Sequence, residues 1–158
     1  MYKRQSLIYA GAQKNIGPAG LTIVIIDRDF MEYGNPNIPN ILKYSEHSLS
    51  ESMLNTPPTF AWYMAGKVFK WIKDSGGLDY FKTQNHKKAS KLYEFIDNSS
   101  FYSNNVDSVN RSIMNVPFLL ANDDLDKTFL SEAEDNELIN LKGHRSVGGM
   151  RASIYLSL

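Results

Sequence analysis

The sequence contains no cysteine and has little of several features that mark particular protein classes. Without a thiol, disulfide frameworks, thiolate metal sites and cysteine nucleophiles are excluded, and the composition is compatible with a reducing compartment. The three histidines lack the close spacing of a zinc-hydrolase helix, which argues against a metal site. Basic and acidic side chains number 17 each, so no excess of positive charge favours nucleic acid or an anionic membrane.

Long apolar runs are also absent. The longest, Leu21 to Ile26, is far shorter than the roughly 20 residues that cross a bilayer, and the first residues contain no signal-peptide core. Hydrophobic residues make up 42% of the 158, with 8 Phe, 9 Tyr and 2 Trp, enough for an ordinary core. We therefore expect a soluble cytoplasmic protein without nucleic-acid or membrane partners.

Two strands and a long irregular segment are predicted in the amino-terminal part. Ser6 to Ala12 is short and β-prone, and Leu21 to Asp27 is a β-branched run typical of a strand buried on both faces. A glycine-rich connection joins them. Residues 28–54 mix Asn, Pro and Ser with isolated apolar residues, which indicates a loop with a short helical turn.

Two helices are predicted next. The first carries apolar residues at helical spacing from Phe60 to Ile72, after prolines and before Gly76 and Gly77. Its aromatic stripe, with Phe60 and Tyr63, is interpreted as core packing. The second runs from about Leu78 to Ile96 with lysines on its solvated face, and a polar Asp-Asn-Ser-Ser segment ends it.

The remaining residues predict an α+β arrangement. Residues 111–120 read as a strand in which Pro117 indicates an edge position or a bulge. Asp123 or Asp124 is expected to cap a third helix. Residues 138–141 and 152–156 are further strand candidates.

The stretch from Tyr9 to Gly20 places one lysine, Lys14, among residues too small to crowd an approaching molecule. A lysine held out of water or beside a cation becomes a nucleophile toward carbonyls and can form a Schiff base. The plainer alternative is a solvated lysine in a turn between two strands, the usual environment of lysine.

Two further groups of polar residues suit anions. Asn55 and Thr56 precede the proline-initiated helix, whose free N–H groups and dipole can bind a phosphate, although the same residue types are ordinary helix caps. Arg145 and Arg151, with His144, flank a Gly-Gly pair; bidentate arginine suits carboxylate and phosphate. Pairing of these arginines with surface carboxylates is the alternative.

The Lys14 stretch resembles the cofactor-lysine segment of the phosphoserine aminotransferases, class V members of the fold-type I pyridoxal-phosphate enzymes. The resemblance extends over nearly the whole chain from about Leu7. It continues through Asn55-Thr56-Pro57-Pro58-Thr59-Phe60-Ala61-Trp62-Tyr63, Asn115-Val116-Pro117-Phe118, Leu141-Lys142-Gly143-His144-Arg145 and Gly148-Gly149-Met150-Arg151-Ala152-Ser153-Ile154-Tyr155.

The resemblance implies a role for each candidate residue. Lys14 would carry the Schiff base with pyridoxal 5'-phosphate and shuttle the α-proton, and Gln13 would lie at the cofactor phosphate. Asn55 and Thr56 would reach the cofactor phosphate of a partner subunit, which implies a homodimer with shared active sites. His144 and Arg145 would face the substrate phosphate, and Arg151 the α-carboxylate.

The resemblance also implies the fold and the reaction. The expected fold is α/β, with residues 1–74 ending the large cofactor-binding domain and residues 75–158 forming a small α+β domain. The expected reaction is ping-pong transamination between phosphoserine and 2-oxoglutarate, with glutamate and 3-phosphooxypyruvate as the other pair, in serine biosynthesis. A second role on 4-phosphohydroxythreonine, in pyridoxal-phosphate biosynthesis, is left open.

Several family site residues lie upstream of the lysine segment, and none is found here. We therefore expect the chain to be a fragment without the amino-terminal half, inactive by itself. A cysteine desulfurase is excluded for this region because the thiol is lacking. The alternatives are a class V transaminase for an unphosphorylated amino acid, and a noncatalytic phosphate-binding or dimerisation module.

Overall fold

The β-branched run after Leu21 forms one of two paired strands in a computed structural model, which describes residues 5–156. Strand β1 (Leu7–Gly11) pairs antiparallel with β2 (Thr22–Ile26), and the register sets Leu7 opposite Ile26. Both predicted strands are confirmed. The chain divides into two compact units, Met1–Asp74 and Ser75–Leu158, and this ribbon lies in the first.

The prediction that the second strand is buried on both faces is wrong for the described residues. Val24 and Ile25 are exposed, Ile25 by 64%. Within residues 5–156, the sheet that contains β2 has only β1 as a second strand. A two-stranded ribbon offers too few neighbours to cover both faces, whatever the apolar content of its strands.

Residues 28–54 hold more helix than the expected loop with one helical turn. The elements are α1 (Arg28–Met31), a 3₁₀ turn (Asn40–Leu42) and α2 (Tyr44–Leu49). The Asp27 carboxylate accepts hydrogen bonds from the backbone N–H groups of Asp29 (2.9 Å) and Phe30 (3.2 Å). A capping aspartate directly after β2 is thus enough to start α1.

Helix α3 (Thr59–Asp74) confirms the helix predicted after the prolines. Pro58 precedes its first residue, and the Trp62 N–H donates to the Pro58 carbonyl at 2.9 Å. Proline suits this place because its fixed φ is helical and no N–H is needed there. Gly76, with φ of 107°, follows the helix in a left-handed conformation that glycine adopts without a steric cost.

The aromatic side chains of α3 lie outside its buried face, contrary to the prediction that they pack in a core. Ala61 and Ala65, one turn apart, are buried. Phe60 and Tyr63 are 70% and 61% exposed, and Trp71 is also exposed. Helical spacing predicts that aromatic residues share a stripe but not which face meets a neighbour. In the first unit, the face of small residues is the one that packs.

The second unit is α+β, as predicted. Its elements are α4 (Gly77–Asp97), β3 (Tyr102–Ser103), β4 (Asn115–Leu120), α5 (Asp126–Asp135) and β5 (Met150–Ser153). The three strands form an antiparallel sheet in the order β3-β4-β5. The buried cluster at its centre consists of Ala89, Tyr93, Ile96, Val116, Phe118, Leu120, Met150 and Ile154. One face of α4 therefore covers the sheet.

The predicted second helix is confirmed by α4, and the third by α5, although its cap differs. The Asn122 side chain accepts from the Asp124 N–H at 3.0 Å, and a 3₁₀ turn at Asp123–Leu125 leads into α5. Asn122 therefore caps the 3₁₀ turn, one residue before the predicted aspartates, and α5 itself begins after Leu125 with no side-chain cap. Asparagine is as good a cap as aspartate, so residue type alone does not choose between them.

Strand β4 lies at the centre of the sheet, so the edge position indicated by Pro117 is wrong for the strand as a whole. The pairing with β3 covers only Leu119 and Leu120. Beyond it, the Pro117 carbonyl accepts from the Asn104 Nδ2 at 2.6 Å. In an antiparallel strand, the N and the carbonyl of one residue face the same neighbour. The proline nitrogen therefore faces a flank where β3 has already ended.

Two predictions about the last strands need correction. Residues 138–141 form no strand, because Asn140 has φ of 62° and Glu137 before them has 63°, in the left-handed region. Beyond them, Lys142 makes an isolated bridge with Met150. The strand predicted at 152–156 is β5, which begins at Met150 and ends at Ser153. Its start is set by pairing with β4, which places Phe118 opposite Met150.

Arg111 ties the segment before β4 to the end of α4. Its guanidinium donates to both oxygens of Asp97, at 2.6 and 2.8 Å, and lies 4.7 Å from the centre of the Tyr93 ring. The hydrogen bonds from Arg111 hold the pKa of the Asp97 carboxyl below its ordinary value of 3.8. Burial raises the pKa of the Tyr93 phenol above 10.0, an effect that the Arg111 charge opposes.

Candidate active site

Lys14 lies in a tight turn that continues the β1–β2 ribbon. The Ala12 N–H donates to the Leu21 carbonyl at 2.9 Å, which adds one pairing beyond the strands. The Ala12 carbonyl accepts from the backbone N–H groups of Lys14 (2.6 Å) and Gly17 (2.9 Å). Ala12 is buried while Lys14 is exposed. The turn is therefore anchored at Ala12 and presents the lysine side chain outward.

The same turn rests on the small-residue face of α3. A side-chain carbon added at Gly17 would lie 3.5 Å from the Ala65 backbone nitrogen, and one at Gly20 would lie 4.0 Å from the Ala61 Cβ. The two buried alanines allow this approach because they have short side chains. The lysine turn and α3 are thus positioned by direct contact inside the first unit.

The Lys14 amine is not held out of water by the described part of the chain. Its side chain and that of Gln13 are exposed and make no hydrogen bond or ion pair within residues 5–156. The neighbouring Ala, Gly and Pro residues are too small to cover a long side chain. In this chain the amine is therefore accessible to a carbonyl compound.

Asn55 and Thr56 lie in the irregular segment before α3 and are both exposed. The Asn55 amide donates to the Thr56 carbonyl at 3.4 Å, and within the described residues neither side chain caps a helical N–H. The first bond of α3 runs from Trp62 to Pro58, so the N–H groups before Trp62 have no intrahelical acceptor. The helix start can therefore bind an anion.

His144 and Arg145 lie on a short loop that is closed by three contacts. The Gly143 N–H donates to the Gly149 carbonyl at 2.8 Å, Lys142 bridges to Met150, and the Arg151 N–H donates to the Leu141 carbonyl at 2.7 Å. His144 and Arg145 are exposed at the tip of this hairpin, and Arg151 lies on its β5 side. The loop thus brings the three predicted substrate residues into one hairpin.

Arg151 carries an unsatisfied polar atom. Its Nε is buried and has no hydrogen-bond partner among the described residues. A buried guanidinium donor without an acceptor is costly, by roughly 1–3 kcal/mol for a single group. A carboxylate from a bound molecule would supply that acceptor, and its planar shape matches the guanidinium.

The structure adds one residue that sequence reasoning missed. The Ser146 hydroxyl lies 2.6 Å from the His144 Nδ1, and the Ser146 N–H donates to the same nitrogen at 3.3 Å. A serine two positions after a histidine is the only signal in the sequence, and it is too common to be noticed. Ser146 is nevertheless the residue that sets how the ring is held.

The candidate residues fall into both units. Gln13, Lys14, Asn55 and Thr56 lie in the first, and His144, Arg145 and Arg151 lie in the second. Among residues 5–156, no group of three or more His, Asp or Glu side chains is placed to hold a metal ion. In the described helices, none is long and apolar enough to span a membrane.

Comparison with known proteins defines the class. The family model for aminotransferase class V matches residues 3–157, so the chain belongs to the class V aminotransferase family. It is 60% identical over 149 residues to a phosphoserine aminotransferase of Acinetobacter baumannii strain ACICU, and the alignment covers 94% of this chain and 42% of that relative. It is 57% identical over 155 residues to one of Hahella chejuensis, with 98% and 43% covered.

Solved structures agree. Phosphoserine aminotransferase from Bacillus circulans subsp. alkalophilus matches with a TM-score of 0.92 at 46% identity, over 96% of this chain and 42% of that one. A pyridoxal-phosphate-bound phosphoserine aminotransferase from Trichomonas vaginalis also gives 0.92, at 40% identity, over 99% and 45%. The predicted fold-type I α/β class is confirmed, and the chain spans less than half the length of these relatives.

Proposed function

We propose that the protein is a pyridoxal-phosphate-dependent aminotransferase that moves the amino group of phosphoserine to 2-oxoglutarate. The products would be 3-phosphooxypyruvate and glutamate, and the pathway serine biosynthesis in the cytoplasm. The observation that carries the proposal is the turn of Lys14, which presents an accessible amine and contacts the small-residue face of α3, in a chain of the class V family.

Lys14 acts as the covalent attachment point for the cofactor and as the acid and base of the reaction. When bound, pyridoxal phosphate supplies an electron sink for the negative charge that develops at the substrate α-carbon. With the substrate bound, the Lys14 Nζ would be the base that takes the proton from that carbon and the acid that gives it back. Because the amino donor and the keto acceptor react in turn at the same lysine, the kinetics should be ping-pong.

The anion-binding groups bind the cofactor phosphate, the substrate phosphate and the substrate α-carboxylate. Gln13 and, from the partner subunit, the start of α3 with Asn55 and Thr56 hold the cofactor phosphate through neutral donors and the helix dipole. His144 and Arg145 hold the substrate phosphate. Arg151 holds the α-carboxylate, and its buried Nε, which has no acceptor within residues 5–156, supports this assignment.

A shared active site requires a homodimer, which the surface of α3 supports. Phe60 and Tyr63 are mostly exposed on the helix whose first turn would serve the partner. Large apolar side chains clustered at a surface favour a protein contact. We further propose that residues 1–74 belong to the cofactor-binding domain and residues 75–158 to the small domain. Activity on 4-phosphohydroxythreonine would be a second role of the same site.

Covalent labelling tests the proposal. Reduction with borohydride in the presence of pyridoxal phosphate should attach the cofactor to Lys14, identified by peptide mass. Lys14→Arg should abolish specific labelling, because arginine keeps the charge but forms no Schiff base. Lys67→Arg, an exposed lysine on α3, is the matched control and should label as the wild type does. Unlabelled Lys14 with cofactor on other lysines would contradict the enzyme assignment and favour a noncatalytic binding module.

A further inference from the structure

Ser146 contacts the His144 ring from one side. The Ser146 hydroxyl lies 2.6 Å from the ring Nδ1, and the Ser146 N–H donates to this nitrogen at 3.3 Å. The His144 carbonyl also accepts from the N–H groups of Val147 (2.9 Å) and Gly148 (2.8 Å). The backbone turn therefore holds residue 146 against the ring.

These contacts determine which ring nitrogen carries the proton. A backbone N–H can only donate, so the Nδ1 that receives it must be the unprotonated nitrogen of a neutral ring. The serine hydroxyl rotates to donate to the same atom. The ring proton is then on Nε2, at the far side of the imidazole, where it can donate to an anion without the ring being charged.

We propose that Ser146 is a positioning residue that holds His144 as the Nε2–H tautomer, aimed at the phosphate of the substrate. This inference rests on the proposed function, in which His144 contacts that phosphate. Arg145 supplies the charge, and Ser146 supplies the orientation of the neutral donor beside it. The arrangement follows the general rule that the bond made by one imidazole nitrogen sets the state of the other.

The chain offers an internal reference for the tautomer. The His47 Nε2 lies 2.8 Å from the Ile41 carbonyl, which can only accept, so this ring also carries a proton on Nε2. His47 belongs to the first unit and Ser146 to the second. Its resonances should therefore remain constant in every variant of residue 146.

Nitrogen NMR of the histidine rings, at a pH where they are neutral, tests the tautomer directly. In the wild type, the His144 Nδ1 should resonate as an unprotonated nitrogen and Nε2 as a protonated one. Ser146→Ala keeps the backbone N–H that selects the tautomer, so Nδ1 should remain unprotonated, while loss of the hydroxyl bond should shift the Nδ1 resonance. Ser146→Thr, which keeps the hydroxyl, should give the wild-type Nδ1 resonance. Ser131→Ala, an exposed serine on α5, is the matched control.

Kinetics tests the consequence. Ser146→Ala should raise the KM for phosphoserine about fivefold with little change in kcat, because a binding contact common to ground and transition states is weakened. Ser146→Thr should recover most of the affinity.

The two arms separate this inference from the proposed function. A protonated Nδ1 in the wild type, or an Nδ1 resonance unchanged in Ser146→Ala, would overturn the role of Ser146 even if the protein transaminates phosphoserine. No transamination by the wild-type holoenzyme would instead overturn the proposed function. A fivefold rise in KM for Ser131→Ala as well would also overturn the positioning role, since within residues 5–156 the side chain of that serine makes no hydrogen bond to a site residue.

Discussion

The closure of the loop at residues 143–149 predicts that Gly143→Ala is strongly destabilising. A Cβ at this position would overlap the Gly148 carbonyl oxygen and lie 2.6 Å from that of Gly149. Both are backbone atoms and cannot rotate away as a side chain would. The Gly143 N–H also donates to the Gly149 carbonyl at 2.8 Å, so relief of the clash would break this bond. The added methyl group therefore forces the hairpin open.

The size of the effect follows from these two terms. Overpacking costs about 1–3 kcal/mol and the lost hydrogen bond about 1 kcal/mol, which together predict a loss of roughly 2–4 kcal/mol in the free energy of unfolding. Gly148→Ala, in the same loop, meets no atom within 4 Å but has φ of 80°. This variant should lose only about 1 kcal/mol in the free energy of unfolding, the cost of a left-handed conformation for alanine.

At a third glycine, substitution by alanine should increase the stability. Gly66 lies exposed inside α3, with nothing within 4 Å of an added Cβ. Gly66→Ala should therefore stabilise its helix by about 0.5–1 kcal/mol, because alanine loses less backbone entropy on folding. Both tryptophans, Trp62 and Trp71, lie in α3, so their fluorescence reports this change.

Urea unfolding followed by far-ultraviolet circular dichroism measures the two loop variants. The predicted order of stability is wild type, then Gly148→Ala, then Gly143→Ala. Because the loop presents His144 and Arg145, Gly143→Ala should also lower the affinity for phosphoserine more than Gly148→Ala does. A Gly143→Ala protein as stable as the wild type, or more stable than Gly148→Ala, would refute the close approach of the two carbonyls.

Two further predictions concern charged groups. Arg145→Ala should weaken phosphoserine binding about tenfold or more, because a charge-assisted contact is lost, and should affect the binding of a neutral amino acid much less. Steady-state KM values for both substrates measure this effect, with Arg28→Ala as the control. Equal losses of affinity for the two substrates would argue for an unphosphorylated substrate. Asp97→Asn should destabilise at neutral pH, because the lowered pKa of Asp97 gives stability that is present above its unfolded value of 3.8 and is lost as pH falls through the lower folded value. Unfolding midpoints of wild type and variant should therefore converge in that acidic range, and a constant difference would contradict a role for the ion pair with Arg111.

Local signals predicted the long helices well. α3 and α4 follow from apolar residues at helical spacing, with prolines before the first helix and glycines between the two. These signals act within a few residues of chain, so no knowledge of distant partners is needed. The same holds for the Asp27 cap, although the sequence interpretation overlooked it and expected a loop.

Properties that depend on distant partners were predicted less well. The apolar content of β2 indicated burial on both faces, but burial requires neighbours, and the ribbon has two strands. The central position of β4 depends on pairing with β3 and β5, which come from far apart in the chain. Pro117 is tolerated there because β3 is too short to reach it, and no local pattern reveals that length.

For the candidate site, the order of residues along the chain determined which side chains stand together on each segment: the lysine among small residues, the polar pair before the prolines, and the histidine beside an arginine. Only the tertiary structure decided that the lysine turn rests on two buried alanines, that the Nε of Arg151 is buried with no acceptor in the described part of the chain, and that Ser146 contacts the ring of His144. The physical reason is that residue chemistry is a local property, whereas orientation, burial and the choice of a hydrogen-bond partner arise when segments pack against one another.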